Sequence, residues 1–81
     1  MFITRYKSRN NICGLKMAEF RKNARPFMSQ IKMAKLLTEA GMECDRHVIR
    51  RIEDGERFVT DIELNFIATV LGIGIDALLS D

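Results

Sequence analysis

Eleven residues, Asp45 to Gly55 (DRHVIRRIEDG), constrain this chain most, because they carry a start, a stop and two unlike faces of one short helix. At about 100° per residue, Val48, Ile49 and Ile52 share an arc of roughly 100°. Arg46, His47, Arg50 and Arg51 gather on the other side. The Asp45 carboxylate can accept the free amide hydrogens of a first turn. Gly55 can take the left-handed backbone that closes a helix. The apolar side must lie on a core. The cationic side fits an ordinary solvated helix face and equally a helix lying in a DNA groove, so the neighbouring segments decide between the two.

Those segments read as four more helices. From about Ile12 to Ala24 the apolar residues Ile12, Leu15, Ala18 (or Met17) and Phe20 recur at helical spacing. Asn11 is an acceptable cap, Lys22 and Arg25 suit the negative end of the helix dipole, and Pro26 stops the run. Ser29 opens a second helix over about 30–39, with Met28 and Met33 in staple spacing. Its buried face is expected to be Ile31, Ala34 and Leu37, with Lys32 and Lys35 outside. After the linker AGMEC comes the Asp45 helix, and Cys44 with Ile49 again has staple spacing, which makes Cys44 a packing residue. Two short helices joined by a glycine-containing turn, the second basic on its free face, make a helix-turn-helix. Further on, Thr60 and Glu63 form a capping box, with Val59 and Leu64 as its staple. Ile62, Phe66, Ile67, Val70 and Leu71 make that fourth helix apolar over most of its circumference, hence central. Gly72 ends it. A last short helix starts at Gly74, where Ile75, Leu78 and Leu79 are candidates either for core packing or for a dimer contact. The fold class is therefore all-α, a compact five-helix bundle.

Charge is distributed unevenly. The 81 residues carry a net charge of only +2. Residues 1–25 hold seven Lys or Arg against Glu19 alone, whereas residues 53–81 hold Arg57 against seven acids. Such a division suits one basic face for a polyanion and an acidic region turned elsewhere. Residues 1–11 read as a basic N-terminal arm and residues 12–81 as the helical domain. The arm has no period. It could follow a phosphate backbone or enter a minor groove, fray, or pair as a strand across a dimer.

Other chemistries find little support. No apolar run approaches the roughly 20 residues that span a bilayer, and Arg5, Lys7 and Arg9 interrupt what would be a signal peptide's core, so a cytoplasmic protein is expected. Cys13 and Cys44 form no CxxC pair, and Cys44 with His47 is the one close pair of zinc-ligand types, so no metal site is expected. With one histidine and no nucleophile elbow, phosphate loop or dinucleotide fingerprint, no catalytic residues, no cofactor and no small-molecule site are expected. DNA binding fares better. Arg46 and His47 occupy the first turn, the part that reaches base edges in this motif. Arginine can bind guanine O6 and N7 through two parallel hydrogen bonds. Arg50 and Arg51, one turn on, can extend those contacts or hold phosphates. Gln30, first in helix two, sits where an amide and free backbone N–H groups could meet a phosphate.

The segments SQIKMAKLL, HVIRRIEDG and DIELNFIATVLGIGIDALL resemble the Cro/repressor-type helix-turn-helix family, also called the xenobiotic response element family. The likeness covers roughly residues 11–79. It is most specific at Ser29-Gln30, at Ile52-Glu53-Asp54-Gly55, and at Leu71-Gly72-Ile73 followed by Asp76-Ala77-Leu78-Leu79. The resemblance implies a lambda-repressor-like bundle that binds double-stranded DNA, usually as a homodimer, and regulates transcription. It implies that Gln30 contacts phosphate, that Arg46, His47 and Arg51 read bases with Arg50 beside them, and that Glu53 pairs internally with Arg21. The chain departs from the pattern in three places. It is about two residues longer around Arg25-Pro26-Phe27, its AGMEC turn is longer than in the phage repressors, and Asp54 and Glu56 stand where the family often has asparagine and a basic residue. Acids there would repel a DNA backbone. They favour an alternative: the same fold used as a protein-interaction module, such as an antitoxin or anti-repressor partner.

Overall fold

Local signals account for where each helix starts and stops. The computed structural model describes residues 8–80, and in these it contains five helices and no strand. They are α1 (Cys13–Asn23), α2 (Gln30–Ala40), α3 (Arg46–Glu53), α4 (Asp61–Leu71) and α5 (Ile75–Leu79). Asn11 Oδ1 accepts the Gly14 N–H at 2.8 Å at the head of α1, and the chain turns extended at Ala24, two residues before Pro26. The Ser29 hydroxyl accepts from the Lys32 N–H, and the Asp45 carboxylate accepts from the Val48 N–H, each at 3.0 Å. Thr60 and Glu63 close a reciprocal capping box at α4. Gly55 and Gly72 leave their helices at φ +82° and +70°, the left-handed region where a side chain would be strained.

The helices enclose a core of Cys13, Met17, Met33, Ala34, Leu37, Met42, Ile49, Ile52, Ile67, Ala68 and Leu78. α3 packs on α1 and α2, while α4 packs on α1, α2 and α5. The turn between α2 and α3 is held at both ends. Met42 is buried, and its N–H donates to the Leu37 carbonyl at 2.9 Å. The Thr38 hydroxyl donates to the Cys44 carbonyl at 2.9 Å. Cys44 packs half-buried against the core, as its staple spacing predicts.

The faces of three helices differ from expectation. Leu15 is half exposed, and α1 instead buries Cys13, Met17 and Arg21. Leu15 lies roughly 160° from the middle of that face at 100° per residue. A buried arginine at one of its positions hides the face from any search for apolar period. Ile31 is 62% exposed, because α2 turns Met33, Ala34 and Leu37 inward and Ile31 lies roughly 115° away. Ile62 is exposed too, on the far side of α4 from Ile67 and Ala68. In α5, Leu78 is fully buried, which removes it from any dimer contact, while Ile75 and Leu79 remain exposed.

Burial pushes the Cys13 thiol up to about 11, so it stays neutral inside the core. The α4 cap carries an electrostatic contribution. Arg57 holds Glu63 through two hydrogen bonds, 3.0 and 2.8 Å, and with the Thr60 N–H it keeps the Glu63 carboxyl below its usual range. The folded state therefore binds this proton less readily than the unfolded state. Its stabilisation is present above the ordinary carboxyl value and is lost as pH falls through the depressed one. Melting temperatures of the parent and Glu63→Gln should thus differ most near pH 6 and converge toward about pH 3. A gap unchanged across that range would show that the ion pair contributes nothing.

Candidate nucleic-acid interface

One face of α3 is committed to the fold. Ile49 and Ile52 fill the core, Val48 packs half-buried, and Glu53 turns inward. Arg21 Nε and Nη2 donate to the two Glu53 oxygens at 2.8 and 2.9 Å, and both side chains are about 6% exposed. The remaining Arg21 nitrogen, Nη1, reaches the Met28 carbonyl at 3.0 Å. The resemblance implied this pair, and the fork geometry suits it.

What is left on the outside is cationic. Arg46, His47, Arg50 and Arg51 are all exposed, with the first two at the amino end of α3. Arg50 pairs with Asp54 at 3.1 Å and reaches Glu56 at 3.6 Å, and Arg51 lies 3.8 Å from Glu56. These pairs are about half exposed, so each contributes on the order of 0.2–1 kcal/mol and opens readily. No ion pair among the described residues engages Arg46 or His47. The face therefore divides into a free amino-terminal half and a carboxyl-terminal half covered by acids.

Beside the free half, a cleft of about 320 Å³ separates the start of α2 from Arg46 and is lined by Arg21, Phe27, Ser29, Gln30, Ile31 and Arg46. Gln30 stands at the expected place, yet its amide points inward and donates to Glu53 Oε1 at 3.0 Å. It thereby holds the carboxylate that anchors α3, and an anion arriving here would meet the backbone at the start of α2 instead. Phe27 and Ile31, both more than 60% exposed, rim the same cleft. Neither was singled out from the sequence for this edge. Phe27 belongs to the additional residues before α2, and the 3.6-residue period placed Ile31 inside.

The other unforeseen feature is at the opposite end of α3. Arg9, Asn10 and Asn11, read as the end of the arm, are hydrogen-bonded to backbone around residues 52–57. Residues 1–7 of that arm lie outside the described residues. With this geometry in hand, comparison of the chain with protein-family models, curated proteins and solved structures returns no match. Among the described residues, no helix is long and apolar enough to cross a membrane.

Proposed function

We propose that the chain is a sequence-specific double-stranded DNA-binding transcriptional regulator of the Cro/repressor type, acting in the cytoplasm as a repressor. In this reading α2 and α3 are its helix-turn-helix, and α3 lies in the major groove. One observation carries it: the solvent face of a short, capped helix is cationic, and no ion pair among the described residues engages Arg46 or His47 in its amino-terminal half. Arg46 and His47 reach base edges, while Arg50 and Arg51 exchange Asp54 and Glu56 for phosphates or bases. Gln30 acts through Glu53 and through the backbone beside it. A homodimer would join through Ile75 and Leu79, which are exposed at the two ends of α5. It would present two α3 helices about 34–36 Å apart, one turn of duplex.

The experiment is selection of bound duplexes from a random pool, repeated with Arg46→Ala. The parent should enrich a defined motif, and Arg46→Ala should relax one base position by ~1–3 kcal/mol while leaving the rest of the motif in place. An equal change at every position would remove base reading from Arg46. A second reading has its own support: the acids on Arg50 and Arg51 suit a protein-binding module, an antitoxin or anti-repressor partner, better than a phosphate surface. A pool that enriches no motif favours that alternative.

A further inference from the structure

Every α-helix ends in carbonyls that its own geometry leaves without donors. In α3 the last four belong to Arg50, Arg51, Ile52 and Glu53. The chain that follows serves the first two, as Asp54 N–H reaches the Arg50 carbonyl at 2.8 Å and Glu56 N–H reaches that of Arg51 at 2.9 Å. The other two accept from residues near the amino terminus, the Ile52 carbonyl in addition to a local donor. The Ile52 carbonyl accepts from Gly55 N–H and from Asn11 Nδ2, each at 3.0 Å, and from Arg9 Nη2 at 3.3 Å. The Glu53 carbonyl accepts from Arg9 Nη2 as well. Just beyond the helix, Asn10 N–H donates to Gly55 at 2.8 Å, Asn10 Nδ2 to Glu56 at 2.9 Å, and Asn11 Nδ2 to Arg57 at 2.7 Å. Three consecutive residues thus bind the backbone on both sides of the helix end.

Two glycines make room for this clasp. A Cβ at Gly55 would lie 2.8–2.9 Å from the Arg9 side chain, and one at Gly14 would lie 2.7 Å from Arg9 Nη2. The slot admits a flat guanidinium, and its charge faces the negative end of the α3 dipole. An eight-residue helix is too short to hold its own direction in water, so what grips its last turn sets where its outer face points.

The geometry points to Arg9 and Asn11 as positioning residues for α3. They hold its last turn so that Arg46 and His47 meet the duplex at one fixed angle, without touching it themselves. This rests on α3 being the DNA-reading helix of the proposed function.

The test combines amide exchange with duplex binding on the full chain. In Arg9→Ala, the amides of Asp54, Gly55 and Glu56 should exchange at least about tenfold faster, while those of Ile67 and Ala68 in α4 change little. Preference for the selected duplex over random duplex should fall about tenfold, with the salt dependence of binding unaltered. Arg9→Lys keeps the charge but loses the flat group that the slot beside Gly14 and Gly55 admits, and should behave like Arg9→Ala. Three outcomes would overturn the assignment: faster exchange spread equally over α4, a salt slope reduced by about one, which makes Arg9 a phosphate contact, or full rescue by lysine. If the parent bound no duplex at all, the proposed function would fall, and exchange alone would still decide whether residues 9–11 clasp α3.

Discussion

Arg21→Ala should leave the chain largely unfolded at 37 °C, even though the substitution removes a charged residue from a helix. Without the guanidinium, the Glu53 carboxylate stays buried with only the Gln30 amide to satisfy it. Removing one partner of a buried, hydrogen-bonded ion pair costs about 3–5 kcal/mol. A core of this size supplies roughly 3–5 kcal/mol in total, so the loss takes most of the stability available. Glu53→Ala should be comparable, since it strands the guanidinium. The double variant Arg21→Met with Glu53→Met should be more stable than either single one, because an apolar pair avoids the desolvation that the ions must offset. Denaturant unfolding of the four proteins measures this. A single variant losing less than about 1 kcal/mol would mean that water reaches the pair and the burial is not functional.

Gly14→Ala is the second large effect, and its direction is contrary to helix propensity. In an open helix, glycine to alanine stabilises by about 0.5–1 kcal/mol. Here a Cβ would overlap the Ile52 carbonyl oxygen and would sit 2.8 Å from Asn11 Oδ1. The obstruction is backbone of another helix, so α1 and α3 must move apart. Overpacking of this kind costs ~1–3 kcal/mol or more. The same movement would open the clasp around Arg9 and withdraw the carbonyl that Asn11 holds. Loss of stability together with loss of amide protection at Asp54 and Gly55 is the expected pattern. A stabilised Gly14→Ala variant would show that the two helices are not in close contact there.

Helix bounds were legible in the sequence because caps and stops act within a few residues. Ser29, Asp45, Thr60 with Glu63, and the glycines at 55 and 72 each do locally what their chemistry allows. Faces were harder. Period searches look for apolar residues, and the inner face of α1 includes Arg21, which is buried only because Glu53 arrives from 32 positions away. That pairing came from family resemblance and not from any spacing. The exposure of Ile31 and Phe27 depends on where the loop before α2 travels, and local sequence does not encode that path. The grip of Arg9 and Asn11 on α3 was the least visible, since it joins side chains to backbone carbonyls more than 40 positions distant. Backbone acceptors are present at every residue, so no residue type marks the three carbonyls that Arg9 and Asn11 reach. The cationic set Arg46, His47, Arg50 and Arg51 was plain from the helical wheel. The inward turn of Gln30 was not, because it requires Glu53 to be in place already.

The most direct test is the affinity of the purified chain for a random duplex, measured from about 50 to 200 mM salt. With Arg46, Arg50 and Arg51 facing the duplex and basic residues of α2 beside them, about four phosphates would be neutralised. Log affinity should then fall against log salt with a slope of about −3 to −4. No binding at the lowest salt, or a slope near zero, would contradict a DNA-facing α3.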